Sequence, residues 1–570
     1  MGQPRSPSAR GAHQLPGAPI GLLLAVILAQ NLDSARFAHP PTDVRPAMLW
    51  FWSGRITDSL IDHQLGAMRS AGLAEVIISP VGAARLDSAR VEYARREAQR
   101  IGMRVSLASS YPELGGDSAN TRLQLRHAAS AAHLAGRPRV AASLLGTGES
   151  PITPQQARIR IGAMAARGIN LVILHAYWSD SEPEPWWFAI GDLVTWTARV
   201  SDLAVGRSAA PLALLVPTPE RERKDSALDD IVTKLEDAQA DFDLLPEGAF
   251  ARANVRTGHL EAGPQRYRVI IVPPVRMLGL ETVRRLTAFT QSGGTVIAWN
   301  PLPAVAAGAW PPPGPRFRVL GPDARLVDTL IHTPFSTVRE PGPPALRVLP
   351  IQRGEDHVFL LFNESDRRIS VAPPFRLIGQ PELWNPDDGS MRLPPTRWSP
   401  RFALTDVPLE MEPFQVLGLV FRARPRSPKG PIGAPPTEDV VADATTGWRF
   451  RFAAGDTTWT PTSLGSWTVR DATYSGTGVY QGTLDVEGGP RRAGDRYLLD
   501  LGAVRDVAEV ELNGKALGRR LWRPYRYDVT DVVRPGANQI TVRVTNTLAN
   551  RKGTPLPSGL LGPVIVIRVR

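Results

Sequence analysis

The feature that most constrains the fold is a regular alternation of apolar and polar residues near the C-terminus, within residues 497–546. Three runs there place apolar side chains at every second position: residues 497–501, 507–512 and 539–544. An alternation of period two is typical of β-strands, whose successive side chains point to opposite faces. Between two of these runs, Asn513-Gly514 favours a tight hairpin turn, which requires positive φ angles. The stretch therefore predicts antiparallel strands joined by tight turns.

Length and composition bound the rest of the chain. At 570 residues it exceeds what one hydrophobic core usually organises, so we expect several domains. A content of 43% hydrophobic and 21% charged residues is ordinary for a soluble globular protein. The net charge of +11 comes mostly from arginines scattered among acids, so a general arginine bias explains it better than a nucleic-acid partner, and we predict none. The absence of cysteine excludes disulfides, thiolate chemistry and Cys-ligated zinc.

The N-terminus is typical of an exported protein. Arg5 and Arg10 precede an apolar run at residues 18–29, which is too short to span a bilayer but suits the core of a signal peptide. The match to a cleavage site at residues 33–35 is weak. We therefore predict a secreted or periplasmic protein with no transmembrane span in the mature chain. The alternatives are an incorrectly assigned start codon and a buried apolar segment.

From residue 46 the chain alternates short apolar runs with amphipathic stretches, which predicts a parallel sheet or a (β/α) barrel. Thr57 is the predicted N-cap of the first helix and Gly72 its stop signal. The most convincing buried strand is NLVILHAY, residues 170–177. The other predicted strands are residues 48–52, 75–79, 104–109 and 140–145, and the predicted helices are residues 57–71, 88–101 and 154–167.

The middle of the chain divides into two further patterns. The first, strands separated by helices, predicts a small doubly wound α/β layer. It lacks a GxGxxG or GxxxxGK[ST] signature, so we interpret it as structural rather than as a nucleotide site. The second follows a Pro-rich stretch and predicts a small antiparallel β domain. The strands of the first pattern are residues 212–216, 269–272 and 295–299, its helices are residues 229–239 and 280–291, and the strands of the second are residues 357–362, 370–371, 381–384 and 414–421.

Two resemblances to known families cover most of residues 45–570. The C-terminal pattern LDLG…VELNGK.LG…W.PY.YDVTD.V.PG.N.ITVRVTN resembles the jelly-roll sugar-binding domain attached to family 2 glycoside hydrolases. The segments RPAMLWFWSGRITDSLIDHQLGAMRSAGLAEVIISP and TPQQARIRIGAMAARGINLVILHAYW resemble barrel strands of the α-L-rhamnosidases of glycoside hydrolase family 106. PELWNPDDGSMRLPP, in the predicted small β domain, also resembles a run of the same family. The resemblance implies an inverting hydrolase that acts on oligosaccharides or glycosides of plant or bacterial origin.

These patterns together predict a multidomain protein of the α/β plus all-β class. About thirty residues separate Ser109 from Val140, which is short for the family and implies that barrel strands or their loops are missing there. The predicted units are residues 1–38 as signal peptide or disordered N-terminus, 39–205 as a shortened (β/α) barrel, 206–305 as a flavodoxin-like α/β domain, 306–425 as a small β-sandwich, 426–447 as a linker and 448–570 as a jelly roll.

Glycoside hydrolysis needs two carboxyl groups across the scissile bond, one protonated and one ionised. In the family, the strand that resembles VAASLL carries a glutamate where this chain has Ser143, and a serine cannot replace a carboxylic acid as proton donor. The nearest substitute is Glu149, with Glu182 or Glu184 as the second carboxylate. Each of these acids has the alternative interpretation of a solvated loop residue.

The remaining candidates are substrate-binding residues at the ends of predicted strands, where active sites of parallel barrels gather. Aromatic rings there are predicted to form a stacking floor for sugars, although core packing is the alternative. The predicted set is Trp50, Trp52, Glu113, His175 and Trp178, with Trp186 and Trp187 as further aromatic candidates. By contrast, Trp522 and Tyr525 are predicted to pack the jelly roll.

No metal site can be assigned from the sequence. The family resemblance implies calcium, which would need scattered oxygen ligands because no EF-hand-like acidic spacing occurs. Two alternatives to a hydrolase remain at this point: a catalytically degenerate carbohydrate-binding homologue, which Ser143 and the short barrel favour, and a structural cell-surface protein.

Overall fold

The structure is a computed structural model in which four domains follow one another along the chain. No helix among the described residues is long and apolar enough to cross a membrane. The run at residues 18–29 lies outside those residues, whereas Leu32 and Phe37 are already buried in the core of the first domain. The structure describes residues 32–52, 56–80, 86–110, 121–144, 152–176, 184–208, 210–217, 225–300, 302, 304–305, 314–321, 342–424, 437–486 and 494–570.

The first domain contains a parallel five-stranded sheet with the predicted strand-helix alternation. Thr57 caps the second helix by accepting from the Leu60 N–H, and Gly72 follows that helix with a positive φ of 86°, as its sequence predicts. The elements are α1 (Ser34–Ala38), β1 (Ala47–Trp52), α2 (Asp58–Ser70), β2 (Glu75–Pro80), α3 (Ser88–Arg100), β3 (Arg104–Leu107), α4 (Arg122–Leu134), β4 (Ala141–Ser143), α5 (Pro154–Ala165), β5 (Leu171–Ala176) and α6 (Ile190–Ala204).

Within the described residues this sheet is open, with the order β3-β2-β1-β5-β4 and all neighbours parallel. Its two edge strands, β3 and β4, are consecutive along the chain. If a closed ring of parallel strands lost the strands that lie between β3 and β4, the remaining strands would keep this order. A closed barrel is therefore not observed, and the gap lies where the short separation of Ser109 and Val140 predicted missing strands.

The two faces of the sheet are both buried but have different partners. Side chains on one face, including Trp50 and Leu174, pack with the helices in the largest core of the molecule; we call it the helix face. On the opposite face, alternate residues such as Leu49, Ile77 and Ile173 form a separate small cluster. In (β/α) barrels the face turned away from the helices is the one that carries the active site at the carboxyl ends of the strands.

The second domain is the predicted doubly wound α/β layer, a parallel sheet of order β15-β13-β11-β6-β7. Buried clusters on both sides of this sheet contain residues of its helices. Its elements are β6 (Leu212–Val216), α7 (Asp225–Asp237), β7 (Phe242–Pro246), α8 (Glu247–Arg252), β8 (Asn254–Arg256), β9 (His259–Ala262), β10 (Gln265–Tyr267), β11 (Val269–Val272), β12 (Met277–Leu278), α9 (Leu280–Gln291), β13 (Thr295–Trp299), β14 (Ala304–Val305) and β15 (Phe317–Leu320).

The third domain is all β, as predicted, and is built around an antiparallel sheet of order β16-β17-β25-β20-β21. Two smaller sheets, β18-β24 and β19-β23-β22, accompany it. Its strands are β16 (Leu346–Arg353), β17 (Asp356–Asn363), β18 (Ile369–Val371), β19 (Pro374–Phe375), β20 (Glu382–Asn385), β21 (Ser390–Arg392), β22 (Arg397–Ser399), β23 (Leu404–Asp406), β24 (Leu409–Met411) and β25 (Val416–Phe421).

The C-terminal domain packs a four-stranded sheet, β26-β37-β30-β34, against a six-stranded sheet, β28-β27-β29-β35-β32-β33. Asn513 and Gly514 join β32 to β33 with φ angles of 53° and 81°, which confirms the predicted hairpin. The strands are β26 (Glu438–Asp443), β27 (Trp448–Phe452), β28 (Thr460–Thr462), β29 (Thr477–Val486), β30 (Arg496–Asp500), β31 (Ala503–Arg505), β32 (Val507–Leu512), β33 (Lys515–Arg520), β34 (Arg526–Asp528), β35 (Gly536–Thr545), β36 (Gly559–Gly562) and β37 (Ile565–Val569).

The first, third and fourth domains meet at one buried arginine. Arg158 on α5 is 1% exposed, and its guanidinium donates to Phe414 O at 3.0 Å, to Arg523 O at 3.2 Å and to the Asp387 carboxylate at 3.0 Å. The same guanidinium lies 5.1 Å from the centre of the Trp522 ring. Because these contacts reach two other domains, Arg158 fixes how the jelly roll sits on the first domain.

A second buried charge network joins the first three domains. Arg167 donates to Glu236 at 2.8 Å and to Glu364 at 2.9 Å, and Arg347 donates to Glu364 at 2.6 Å. Burial alone would raise the pKa of Glu364, but the two guanidinium groups lower it to about 2. The pairing keeps Glu364 ionised inside the interface, where removal of one partner would leave an uncompensated charge.

Candidate functional site

The carboxyl edge of the first sheet is where the sequence placed the site. Strands β4 and β5 are parallel neighbours, with Ser143 opposite Ile173, so their carboxyl ends lie at the same edge of the sheet. Ser143 continues the row that begins at Ala141, which belongs to the cluster on the face away from the helices. It therefore holds the kind of position from which a barrel enzyme presents an active-site side chain.

Trp50 and Trp52, predicted as part of a sugar-stacking floor, lie in the core. They are 0% and 4% exposed, and their rings meet edge to face with centroids 5.2 Å apart. The Trp50 indole N–H donates to the Gln64 side chain of α2 at 2.7 Å. Both rings thus pack on the helix face, and neither offers its surface to a ligand.

In the register of the sheet, Trp50 and His175 do not hold paired positions. Trp50 pairs with Ala176, whereas His175 pairs with Leu49. Paired residues of neighbouring parallel strands have the same orientation, and successive residues alternate. Trp50 and His175 therefore occupy alternating positions, although both stand at strand ends. Trp186 is buried in the same core as Trp50, and Trp187 is partly buried against it.

Four predicted site residues lie outside the described residues: Glu113, Glu149, Trp178 and Glu182. They follow β3, β4 and β5 along the chain. His175 lies within β5 itself. The contacts of these five side chains stay predictions.

Glu184 lies at the junction with the jelly roll. Its carboxylate accepts from the Leu548 N–H at 3.0 Å, a contact that bridges 364 positions of sequence. This geometry gives Glu184 a role in holding the C-terminal domain. Its predicted role as the second carboxylate stays a prediction.

Asp506 is a titratable residue that the sequence analysis did not single out. It is 7% exposed, and burial raises the pKa of its carboxyl to about 7, with the negative charge of Glu184 adding to the effect and Arg505 opposing it. Its main chain is tied into the jelly roll, since Tyr525 donates its hydroxyl to Asp506 O. The local sequence does not predict this burial, because Asp506 stands directly before the alternating pattern of β32, where a charged residue is expected to be exposed.

Tyr525 packs the jelly roll as the sequence predicts, whereas Trp522 packs into the core of the first domain. Tyr525 is buried in the core of the jelly roll, and Trp522 packs edge to face on Trp196 of α6 with centroids 5.1 Å apart. Both therefore serve the fold, Tyr525 within the domain and Trp522 at its boundary. No group of three or more His, Asp and Glu side chains placed to hold a metal ion occurs among the described residues.

Comparison with known proteins identifies the C-terminal domain. Residues 468–555 match the model of the family described as glycosyl hydrolase 2 galactose-binding domain-like. A putative beta-glucuronidase of Formosa agariphila is 44% identical over 79 residues, which are 14% of this chain and 7% of that protein. These matches confirm the resemblance of the C-terminal stretch to a galactose-binding-like jelly roll of glycoside hydrolases.

The fold of the whole chain has a counterpart among solved structures. The rhamnosidase from Novosphingobium sp. PP1Y superposes with a TM-score of 0.61 at 22% sequence identity, over 89% of this chain and 54% of the rhamnosidase. At this identity the likeness is one of fold. The chain spans about half the length of that rhamnosidase, and its domains share the fold of a glycoside hydrolase.

Proposed function

We propose that this protein acts on glycans as a glycoside hydrolase and that its substrates carry terminal rhamnosyl residues. The observation that carries the proposal is the fold match to a rhamnosidase over 89% of the chain, which includes the parallel sheet and the jelly roll together. The galactose-binding-like domain at residues 468–555 supports the same class of substrate. The apolar run at residues 18–29 supports export, which would bring the protein to extracellular or periplasmic glycans.

The proposed chemistry is hydrolysis with inversion. One carboxylic acid donates its proton to the glycosidic oxygen as the bond to the anomeric carbon breaks, while a carboxylate on the other side takes a proton from the attacking water. We assign these roles to Glu149 and Glu182, because they follow the neighbouring strands β4 and β5. Glu184 is a positioning residue in this scheme, since it holds Leu548.

A second candidate function is glycan binding without hydrolysis. It is favoured by Ser143, whose hydroxyl stands where the family resemblance calls for a carboxylic acid and cannot act as a proton donor near neutral pH. The open sheet favours it as well, because strands that would carry other groups of a complete site are absent between β3 and β4 in the described part of the chain.

Assays of the purified full chain on a panel of aryl glycosides, headed by the α-L-rhamnoside, test the proposal. We expect turnover of the rhamnoside, and Glu149→Gln and Glu182→Gln should each lower it by about a hundredfold or more. Glu92→Gln is the matched control, because Glu92 is exposed on α3, away from the sheet edge. Unchanged rates in both site variants would refute the assignment of the acids. No turnover of any glycoside, with measurable binding of rhamnosides by calorimetry, would replace hydrolysis by the second candidate.

A further inference from the structure

A large cleft opens where the first, third and fourth domains meet. Its volume is about 780 Å³, within the range of about 300 to 1,000 Å³ that is usual for small-ligand sites. Helix α6 forms one wall with Asp192 and Trp196, and residues 385–388 form another. The outer face of the six-stranded jelly-roll sheet forms the floor. None of the lining residues that the structure describes belongs to the first sheet.

The floor of the cleft carries a row of charged side chains on neighbouring strands. Glu509 of β32 pairs with Arg519 of β33 on one side and with Arg543 of β35 on the other. Arg519 is held in place, because its guanidinium lies 3.4 Å from the Glu509 carboxylate and 3.3 Å from that of Asp192. Arg543 differs, since it is exposed and no hydrogen bond or ion pair joins it to another of the described residues.

Polar groups of both kinds surround Arg543. Glu511 and Thr541 face each other across β32 and β35, two residues along from the pair of Glu509 and Arg543 and on the same side of the sheet. Glu511 is exposed, so its carboxylate is accessible as an acceptor for hydroxyl groups, and the Thr541 hydroxyl both donates and accepts. Arg520, also in the lining, stacks over Tyr527 and has no carboxylate partner among the described residues.

Part of the lining beside these groups is apolar, although Leu521 and Trp522 expose only 4% and 9% of their surface. Leu521, Trp522 and Pro524 line the cleft beside the charged floor. Sugars combine a ring face of C–H groups with a rim of hydroxyls, so they match a site with an apolar wall and a few convergent polar groups. A guanidinium adds a specific preference, because its planar fork matches the two oxygens of a carboxylate.

We propose that this three-domain cleft is a second glycan-binding site and that it binds a short oligosaccharide containing uronic acid, with the uronate carboxylate on Arg543. Glu511 and Thr541 accept and donate hydrogen bonds to hydroxyls of the same or the next sugar. Because the cleft is built jointly by α6, the turn at residues 385–388 and the jelly roll, it exists only while the domains are docked through Arg158.

Calorimetric titration of the full chain with trigalacturonate and with its uncharged methyl ester tests this proposal. We expect the acid to bind, and we expect the affinity of the ester to be lower by about tenfold or more, because a hydrogen bond between charged groups is lost. Arg543→Gln should weaken binding of the acid by a similar factor. Arg534→Gln is the matched control, since Arg534 is an exposed arginine of the same domain outside the cleft.

Three results would overturn the proposal: no binding of the acid, equal binding of acid and ester, or unchanged binding by Arg543→Gln. Loss of binding in Arg534→Gln as well would show that the interaction is general electrostatics and would overturn it too. The test is independent of hydrolysis. A chain that binds trigalacturonate through Arg543 but hydrolyses no glycoside would support this cleft while refuting the proposed hydrolase.

Discussion

Replacement of Asp241 by asparagine should remove a large part of the pH dependence of stability in the second domain. Asp241 directly precedes β7 and is 3% exposed. Burial raises the pKa of its carboxyl to about 7 from an ordinary 3.8; Arg126 lowers it and the neighbouring Asp243 raises it. Asp243 is itself occupied by His133 of α4 at 2.7 Å and by the Tyr267 hydroxyl at 2.9 Å. Asp243 is therefore paired in this interface, whereas the Asp241 carboxyl stays protonated until the pH approaches 7.

Proton linkage gives the direction and the size of the change in the free energy of unfolding with pH. Between about pH 4 and pH 7 the folded protein keeps the Asp241 proton while the unfolded chain has released it, so the free energy of unfolding falls as pH rises through this window. Each pKa unit corresponds to about 1.4 kcal/mol, so the loss amounts to about 4 kcal/mol by pH 8. Asparagine keeps the shape and has no charge to lose. The stability difference between Asp241→Asn and the native chain should therefore shift by about 4 kcal/mol in favour of the variant from pH 4 to pH 8.

Hydrogen exchange of the β7 amides, corrected for intrinsic exchange rates, measures this locally and avoids treating a multidomain chain as two-state. A constant offset from the buried amide group does not matter, because only the change with pH is compared. Asp230→Asn is the control, since Asp230 is exposed on α7. Parallel pH profiles for the native chain and Asp241→Asn from pH 5 to pH 8 would refute the reasoning.

Three further changes have outcomes that the packing determines. Arg158→Met should destabilise the docking of the domains by about 1 to 3 kcal/mol, because two carbonyls lose their donor and Asp387 keeps only that of Trp196, and calorimetry should then resolve a separate, earlier transition for the jelly roll. Gly162→Ala should cost about 1 to 3 kcal/mol, because its new methyl group would collide with the Phe362 ring across the domain boundary. Gly66→Ala, in the interior of α2 with no atom within 4 Å of the new methyl group, should instead stabilise by about 0.5 to 1 kcal/mol; a lower melting temperature for this variant would contradict the account.

Alternation and short apolar runs predicted most elements of the fold, on strands with one buried face and on strands with two. The alternation in β32 and β35, the Asn513-Gly514 turn and the helix signals Thr57 and Gly72 all appear in the structure. The sequence patterns did not predict the edge strand β7, because FDLLP is short and its burial depends on α4, a helix of another domain. The Leu244 N–H of β7 donates to the Ser130 hydroxyl oxygen of that helix. Such a contact joins residues 114 positions apart and leaves no local trace.

The candidate site was less predictable, because sequence shows where a strand ends but not which face each residue takes. Trp50 and Trp52 are two positions apart and so share a face, but only the register with β5 shows that His175 pairs with Leu49 instead. Nothing in the local sequence distinguishes Glu184 from other acidic loop residues, and only the fold shows its contact with the Leu548 N–H. Strand pairing decides the first case and a contact between domains the second, and neither can be seen in a window of neighbouring residues.

The position of the gap in the first sheet has a consequence for protein engineering. Because the two edges, β3 and β4, are successive strands, a protein designer who wished to close the ring would need one insertion only, placed between β3 and α4. Every existing strand pairing, from β3 through β1 to β4, would stay as it is. The chain is in this respect a natural acceptor scaffold: grafting strand-helix units at a single point tests whether a closed ring with new carboxylates gains activity without rebuilding the three other domains.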